Sequence, residues 1–314
     1  MSKFRLRGRR RKNKTPREGS VPLRAMLPNL ITSIAVCGGI TCITIVATNY
    51  ARTLAAVRPP TPRDWFNALL ALLIACVCDA MDGRVARLLK CSSKLGAELD
   101  SLADFVNFGV APALFIYFWC LCANPGMTPF LRNLFLGSAL FYAMCDAFRL
   151  ARFNTMLEQP TLPYWKHFFL GVPAPGGCWM VLTPAILSLA LEAKESAPLV
   201  AGAMQNVYFG MFMLLFIGLL MASRLPTISL KSMHISRAYM LPTMAGLLLI
   251  IAFLVSQFWL TLGVMGVCYI ATIPFVGMVF VRTRARYLRE QGPASAQQQL
   301  QPPAESTEAV KPAP

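Results

Sequence analysis

Charged residues are scarce in this chain of 314 residues, and histidines are scarcer still. Only 14% of the residues are charged, 56% are hydrophobic, and the mean hydropathy is +0.53. Soluble domains carry about 25% charged residues, so this composition excludes an ordinary water-soluble domain and disorder over most of the chain. The two histidines, His167 and His234, lack metal-ligand spacing to any partner, and neither is a candidate catalytic base.

The ten cysteines lack the spacing of a zinc site or of a thioredoxin-type pair. Two pairs are separated by one residue, Cys76 with Cys78 and Cys120 with Cys122, and most of the ten lie within apolar runs. This placement is typical of small buried hydrophobic residues. We also expect no cleaved signal peptide, because a basic and polar segment of 26 residues precedes the first apolar run.

Long apolar runs predict the fold class, an all-α polytopic integral membrane protein. The runs approach the length of about 20 residues that an α-helix needs to span a bilayer. The sequence predicts about eight transmembrane helices, over residues 27–48, 65–88, 97–122, 131–154, 168–192, 206–223, 239–256 and 258–281. The predicted domains are a basic tail over 1–26, a membrane domain over 27–286 and a disordered Pro/Gln-rich tail over 287–314.

Basic residues are distributed unevenly along the chain. The net charge is +16, and ten of the 30 Lys and Arg residues precede Met26. A basic tail beside a membrane span is expected to face anionic lipid headgroups, so we expect membrane lipids and no nucleic acid as partners. The positive-inside rule predicts that both termini and the active site lie on the cytoplasmic side. The membrane is expected to be a bacterial inner membrane. The first external connection departs from this rule, because it carries three basic residues, Arg52, Arg58 and Arg63.

Five aspartates lie in or beside the second, third and fourth predicted helices, namely Asp79, Asp82, Asp100, Asp104 and Asp146. Ionised groups near hydrocarbon are costly and therefore indicate function by default. Asp79 and Asp82 are three residues apart and Asp100 and Asp104 are four apart, so each pair shares one helical face. A connection of about ten residues makes the two helices antiparallel neighbours. The four carboxylates are therefore predicted to converge near the cytoplasmic surface.

Four converging carboxylates repel one another strongly unless a cation balances their charge. Hard divalent ions prefer oxygen ligands, and magnesium or manganese is favoured where substrate phosphates complete the coordination shell. The sequence therefore predicts a site for Mg²⁺ or Mn²⁺, with two ions as the leading interpretation. The alternative is a structural cluster of protonated carboxylates or of carboxylates paired with Arg84 and Arg87.

The aspartates form part of a longer pattern. Asp79-x-x-Asp82-Gly83-x-x-Ala86-Arg87 is followed by eight residues and then by Gly96-x-x-x-Asp100-x-x-x-Asp104. This pattern resembles the signature of the CDP-alcohol phosphotransferase family at every defining position. The resemblance implies a membrane enzyme that transfers a phosphoalcohol group from a CDP carrier to an acceptor hydroxyl and releases CMP.

The resemblance also implies roles for individual residues. Asp79, Asp82 and Asp100 are expected to be metal ligands, and Asp104 a further ligand and the catalytic general base. The residues expected at the nucleotide and diphosphate are Gly83, Ala86 and Arg87 from the signature, Gly96, whose missing side chain lets a ligand approach, and Asn29 and Thr32 at the start of the first helix. Capping of that helix by Asn29 is an equally weighted alternative.

Several other segments are similar to the phosphatidylserine synthase branch of that family. They are LPNLIT over 27–32, SLADFVNFGVAPA over 101–113, RLARFN over 149–154, GVPAP over 171–175 and SRLPTISLK over 223–231. A serine is expected in that branch where this chain has Asn107. The resemblance implies CDP-diacylglycerol as donor, L-serine as acceptor and a homodimer. The alternatives are another acceptor, such as glycerol phosphate, inositol phosphate or choline, and, from a different class, a divalent-cation transporter.

Serine is a zwitterion, so its site needs a cation for the carboxylate and an acceptor for the ammonium group. The candidate acceptor-binding or phosphate-binding residues are Asn107 and, at the cytoplasmic end of the fourth helix, Arg149, Arg152 and Asn154. Arginine suits bidentate binding of a carboxylate, but the two arginines are equally suited to lipid headgroups. Asp146 is expected to pair with Arg149 three residues later rather than to meet the ammonium group.

Overall fold

The computed structural model describes residues 23–91, 93–156, 168–192, 198–223, 226–228 and 239–300. His167, His234 and most of the basic N-terminal tail lie outside these ranges. The described residues form α1 (Leu23–Leu54), α2 (Pro62–Leu89), α3 (Lys94–Asp104), a π-helical turn (Phe105–Val110), α4 (Ala111–Ala123), α5 (Pro129–Met156), β1 (Phe168–Leu170), α6 (Ala174–Glu192), α7 (Pro198–Met204), α8 (Val207–Ala222), β2 (Pro226–Ile228), α9 (Met240–Ser256) and α10 (Phe258–Leu300).

The helices have the length and composition of membrane spans, which confirms the predicted fold class. Among the described residues, five helical segments are long and apolar enough to cross a bilayer, namely Met26–Leu54, Lys94–Ala123, Pro129–Thr155, Ala174–Glu192 and Phe258–Met278. Two shorter apolar helices, α8 and α9, have 16 and 17 residues. The protein is therefore an all-α integral membrane protein, although the predicted count of eight spans is not reproduced by this criterion.

The predicted helix over 97–122 contains a π-helical turn directly after Asp104. Pro112 has no N–H group, so it cannot donate the usual helical hydrogen bond to the carbonyl oxygen of Phe108. The Tyr142 hydroxyl donates to that oxygen instead, at 3.0 Å, and Ala111 N–H donates to the Val106 carbonyl five residues back. The π turn thus shifts the helical register between Asp104 and the apolar half of the span.

The predicted helix over 168–192 is wrong at its start. Residues Phe168–Leu170 form strand β1, which pairs antiparallel with β2, and α6 begins only at Ala174. Gly171 has a φ of +78°, which favours glycine, and Pro173 disfavours a helical conformation of the residue before it. These residues stop the helical pattern from reaching residue 168.

The predicted end of the last helix at 281 is also wrong, because α10 continues to Leu300. The helical stretch beyond residue 281 overlaps the predicted disordered tail over 287–314, whose disorder stays a prediction. Arg, Leu, Glu, Gln and Ala dominate this stretch, and all are strong helix formers. The tight turn at Gln257, between α9 and α10, is confirmed.

Close contact between α1 and α2 positions the part of each helix that carries Thr32 or Asp82. A Cβ atom on Gly38 would lie 2.9 Å from the Ala71 carbonyl oxygen and 2.9 Å from the Ala75 side chain. Small residues at such a crossing allow two membrane helices to approach closely. This approach brings Thr32 of α1 next to Asp82 of α2, where their side chains hydrogen bond.

Candidate active site

Three carboxylates converge where α2 and α3 face each other. One oxygen from each of Asp79, Asp82 and Asp100 can be chosen so that all three lie within 4.8 Å of one another. Asp79 and Asp82 stand on one face of α2, and Asp100 lies on α3, which returns antiparallel after a short connection. Ser93 caps the start of α3, because its hydroxyl accepts a hydrogen bond from Gly96 N–H at 3.0 Å.

Asp104 joins this cluster from the next turn of α3. Its carboxyl group is close enough to that of Asp79 for a hydrogen bond between the two, and it also interacts electrostatically with the carboxylate of Asp82. Asp104 is the last residue of α3 before the π turn. The structure therefore brings together the four aspartates whose spacing predicts convergence.

Thr32 orients Asp82 within the cluster. The Thr32 hydroxyl donates to Asp82 Oδ2 at 2.5 Å, and Gly83 N–H donates to Asp82 Oδ1 at 2.5 Å. Both Thr32 and Asp82 are 3% exposed, so this hydrogen bond is shielded from water. Thr32, which is predicted to contact the nucleotide, thus holds the Asp82 carboxylate in place through a hydrogen bond.

The arginine-paired alternative finds no support in the geometry. Among the residues that the structure describes, the ion pairs are Arg58 with Asp64 and Arg149 with Asp146. Arg84 and Arg87 are exposed and form no ion pair with the cluster. Asp79 Oδ1 is buried and lacks a hydrogen-bond partner. A set of carboxylate oxygens with one buried, unpartnered member fits a hard divalent metal ion.

A cavity of about 220 Å³ adjoins the carboxylates on the side of α1. It contains all six predicted nucleotide-site residues and two of the aspartates. Its lining is Pro28, Asn29, Thr32, Asp82, Gly83, Ala86, Arg87, Cys91, Ser93, Gly96, Ala97 and Asp100. Sequence reasoning missed Pro28, Cys91, Ser93 and Ala97, although each lies within about one helical turn of a predicted residue.

The two signature glycines of this cavity differ in their surroundings. A Cβ atom on Gly96 would lie 2.8 Å from Asn29 Oδ1 and 3.1 Å from Ser93 Oγ, so Gly96 permits close packing of α3 on α1. A Cβ atom on Gly83 would meet nothing within 4 Å. Gly83 therefore leaves space for a ligand, whereas Gly96 brings two helices together.

Two of the predicted acceptor-binding residues, Asn107 and Arg149, have buried polar atoms without hydrogen-bond partners. Asn107, in the π turn, is 0% exposed, and neither polar atom of its side chain has a hydrogen-bond partner. Arg149 forms an ion pair with Asp146, with 3.9 Å between Nη1 and Oδ1, as its spacing predicts. Its guanidinium group also interacts electrostatically with Asp104. Asp146 is 0% exposed and both of its carboxylate oxygens lack hydrogen-bond partners. Polar groups left unpaired in this way indicate a place for a polar ligand or water.

The other two predicted acceptor-binding residues have protein partners. Arg152 donates to the carbonyl oxygens of Ala222 at 3.0 Å and Ser223 at 3.1 Å, which closes the C-terminal end of α8. Asn154 donates to the Ser101 hydroxyl at 3.1 Å and is exposed. These contacts fasten the end of α5 to α8 and to α3.

Comparison with known proteins identifies the family. Residues 25–207 match the model of the family described as CDP-alcohol phosphatidyltransferase, and residues 238–274 match that of CDP-alcohol phosphatidyltransferase 2. A Mycobacterium leprae protein named CDP-diacylglycerol--serine O-phosphatidyltransferase is 31% identical over 252 residues, which cover 80% of this chain and 74% of the relative.

Proteins of the same name from two further bacteria are also similar. The Helicobacter pylori protein is 34% identical over 200 residues, which cover 64% of this chain and 70% of the relative. The Bacillus subtilis protein is 35% identical over 139 residues, which cover 43% of this chain and 70% of the relative. With the signature aspartates gathered in one site and a family model matched over residues 25–207, this chain belongs to the CDP-alcohol phosphatidyltransferase family.

Proposed function

We propose that this protein transfers the phosphatidyl group of CDP-diacylglycerol to the hydroxyl of L-serine, giving phosphatidylserine and CMP. The observation that carries the proposal is the meeting of Asp79, Asp82 and Asp100, within 4.8 Å, beside a cavity lined by the remaining signature residues. The names of the similar proteins support this choice of donor and acceptor.

The four aspartates are proposed to hold Mg²⁺ or Mn²⁺, with two ions in the site. Asp79 offers a buried oxygen without a partner, and Thr32 fixes the orientation of Asp82. When bound, a divalent ion neutralises diphosphate charge and stabilises the CMP leaving group. The protein contributes the oxygen donors and a partly buried site in which their charge acts strongly.

Asp104 is proposed as the general base. It accepts the proton of the serine hydroxyl while that oxygen bonds to the phosphorus that bears diacylglycerol. The bond between this phosphorus and the CMP oxygen breaks, and CMP leaves with the electron pair. Arg149 interacts electrostatically with Asp104, and Asp104 is proposed to serve as base through an oxygen that is not a metal ligand.

The cavity beside the carboxylates is proposed to hold the cytidine and diphosphate. Asn29, Gly83, Ala86 and Gly96 shape it, and the exposed guanidinium of Arg87 is suited to phosphate oxygens. Thr32 contributes by holding Asp82 in place.

Replacing Gly83 tests whether a ligand occupies the open space above it. Gly83→Ala adds a methyl group that meets no atom of another element within 4 Å, so the protein should stay folded, and its free energy of unfolding should rise by at most about 1 kcal/mol because alanine favours a helix over glycine. The KM for CDP-diacylglycerol should rise about tenfold, because the methyl group occupies ligand space. Gly137→Ala is the matched control, since Gly137 is equally open but lies on α5. An unchanged KM in Gly83→Ala would argue against a nucleotide at this position.

Arg149 is the proposed partner of the serine carboxylate, and Asn107 is proposed to contact the acceptor from the π turn. Asn107 follows Asp104 by three residues, Arg149 interacts electrostatically with Asp104, and both have buried polar atoms without hydrogen-bond partners. Asp146 then balances the charge of Arg149. The proposed role of Arg152 is to position α8, since its guanidinium contacts two carbonyl groups there. Asn154 holds α5 against α3 through Ser101, next to Asp100.

Two lysine substitutions separate these roles. Arg149→Lys keeps the charge beside Asp146 but loses the planar fork of the guanidinium, so the KM for serine should rise about tenfold or more while the KM for CDP-diacylglycerol stays near its original value. Arg152→Lys should instead lower the melting temperature, because it loses hydrogen bonds worth about 1–3 kcal/mol. Kinetics and thermal unfolding of both variants give the measurement. A serine KM that moves only in Arg152→Lys would reverse the two roles.

The active site is proposed to face the cytoplasm, where serine and CMP are soluble, with both termini on the same side. The asymmetric distribution of Lys and Arg in the sequence supports this orientation. The homodimer that the family resemblance implies stays a prediction.

A product assay tests the proposed function. Purified protein is incubated with CDP-diacylglycerol, Mg²⁺ and labelled serine, glycerol phosphate, inositol phosphate or choline, with and without a chelator. We expect phosphatidylserine from serine alone and no product after chelation. A labelled lipid formed from one of the other alcohols would show that this alcohol, and not serine, is the acceptor. Metal flux into liposomes without any lipid product would favour the divalent-cation transporter.

A further inference from the structure

One face of α10 packs closely on α6. A Cβ atom on Gly263 would lie 3.3 Å from the Leu187 side chain, and a Cβ atom on Gly266 would overlap the Thr183 hydroxyl oxygen. Because the contacted residue of α6 changes from 187 to 183 as α10 advances, the two helices run antiparallel. Tyr269 follows Gly266 by three residues and therefore lies on the same face, opposite residues nearer the start of α6.

Two residues of α6 position the Tyr269 side chain. Its ring is nearly parallel to that of Trp179, with 6.3 Å between the ring centroids and 13° between the ring planes. The indole N–H of Trp179 donates to the Leu262 carbonyl oxygen of α10 at 3.2 Å, which joins the same two helices. The Tyr269 hydroxyl oxygen lies 3.0 Å from the position that a Cβ atom on Gly176 would occupy. The hydroxyl therefore lies at the first turn of α6, where Gly176 has no side chain.

A charged residue of the proposed acceptor site interacts with this hydroxyl. That residue is Arg149 of α5, whose guanidinium group interacts electrostatically with Tyr269. Arg149 Nη1 is buried and lacks a hydrogen-bond partner. Within the part of the chain that the structure describes, the Tyr269 hydroxyl also has no hydrogen bond. Buried and half-buried polar groups normally have partners, so these two donors point to a ligand that accepts from both.

Of the three polar groups of serine, the carboxylate suits these two donors. It carries a charge opposite to that of Arg149, and its two oxygens accept several hydrogen bonds. The ammonium group of serine cannot accept a hydrogen bond. The serine hydroxyl is committed to Asp104 in the proposed proton transfer. A neutral tyrosine hydroxyl beside the guanidinium adds a donor for the carboxylate without adding a second charge.

We propose that the Tyr269 hydroxyl donates a hydrogen bond to the carboxylate of the acceptor serine, which Arg149 binds at the same time. This inference rests on the proposed function and adds to it an acceptor-binding residue from α10, 120 residues after Arg149 in the chain. Tyr269 is thereby a determinant of selectivity for an alcohol that bears a carboxylate. Trp179 and Gly176 are positioning residues, because one stacks on the tyrosine ring and the other leaves room for the hydroxyl.

Removing the hydroxyl tests this assignment. Tyr269→Phe keeps the ring that stacks on Trp179, so the protein should stay folded. The KM for serine should rise about tenfold, because a hydrogen bond to a charged group is lost, and the KM for CDP-diacylglycerol should stay within about twofold of its original value. Tyr239→Phe is the matched control, since it removes a hydroxyl that is 67% exposed at the start of α9, and it should change neither KM.

Gly176→Ala tests the same contact from α6. The added methyl group displaces the Tyr269 hydroxyl, so the KM for serine should rise. In a chain that already carries Tyr269→Phe, the same substitution should raise the KM much less, because the displaced hydroxyl is absent. This comparison is a double-mutant cycle, which measures the coupling between the two positions. Steady-state kinetics of the single and double variants give the measurement, and thermal unfolding checks that each is folded.

Three results would contradict the proposal or the function on which it rests. A serine KM within about twofold of the original in folded Tyr269→Phe, or an equal rise in both KM values, would overturn the proposal. An equal effect of Gly176→Ala with and without the Tyr269 hydroxyl would also overturn it. Failure of the unsubstituted protein to form phosphatidylserine would instead contradict the proposed function.

Discussion

Asp104→Asn is expected to lower phosphatidylserine formation by about 10³-fold, within the range of about 10²–10⁴ that general-base catalysis contributes. Asparagine has nearly the size of aspartate but cannot accept the hydroxyl proton as a base. The substitution also removes one of four mutually repelling carboxylates, so the protein should remain folded and inserted in the membrane. Initial rates with CDP-diacylglycerol and serine, together with the melting temperature, give the measurement.

Glu98→Gln is the matched control for this variant. Glu98 lies on the same helix, α3, but is exposed and outside the cluster. Its replacement should leave the rate within about twofold, because exposed charges away from a site contribute little. Near-normal turnover in Asp104→Asn would remove Asp104 from the chemistry, and an equal loss in Glu98→Gln would point to a general effect of charge on α3.

Asp100→Asn should abolish turnover for a different reason, because it removes an anionic ligand from the proposed metal site. In the unsubstituted protein, a metal that binds only the folded state stabilises it by about 2.7 kcal/mol at 100 times its Kd. The melting temperature should therefore rise when Mg²⁺ or Mn²⁺ is added. In Asp100→Asn most of that rise should be lost.

The same substitution has an opposite expected effect without metal. With a chelator present, Asp100→Asn should be at least as stable as the unsubstituted protein, because it relieves repulsion among the carboxylates. Thermal unfolding in chelator and in Mg²⁺ tests both expected changes in melting temperature. An undiminished metal-dependent rise would show that Asp100 is not a ligand, and a large loss of stability in chelator would give Asp100 a structural role.

The convergence of the aspartates could be predicted from the sequence because helical spacing determines it. Residues three or four apart share a face, and a short connection makes the next helix an antiparallel neighbour. Asp79, Asp82 and Asp100 meet as this geometry requires. The nucleotide-site residues are gathered for the same reason, since Gly83, Ala86 and Arg87 follow the first aspartates on one helix.

Other features depend on contacts that spacing does not encode. The π turn after Asp104 follows from Pro112 together with a hydroxyl from Tyr142, 34 residues after the carbonyl that it contacts. The sequence offers Arg152 as a candidate for binding the acceptor, a phosphate or lipid headgroups, and its contacts with carbonyl groups about 70 residues away at the end of α8 could not be predicted from spacing. An apolar cavity of about 300 Å³ is lined by residues of α2, the π turn, α6 and α10, and in the sequence each of these residues is indistinguishable from an ordinary packing residue.

Direct measurement of Mn²⁺ binding tests the central claim that the aspartate cluster is a metal site serving the transfer reaction. Purified protein is titrated with Mn²⁺, and the free ion is measured by electron paramagnetic resonance, for the unsubstituted chain and for Asp79→Asn and Asp100→Asn. We predict saturable binding of up to two ions in the unsubstituted chain, at Mn²⁺ concentrations that also support phosphatidylserine formation, and a loss of binding in both variants. Equal binding by all three proteins would contradict the assignment of these aspartates as the ligands.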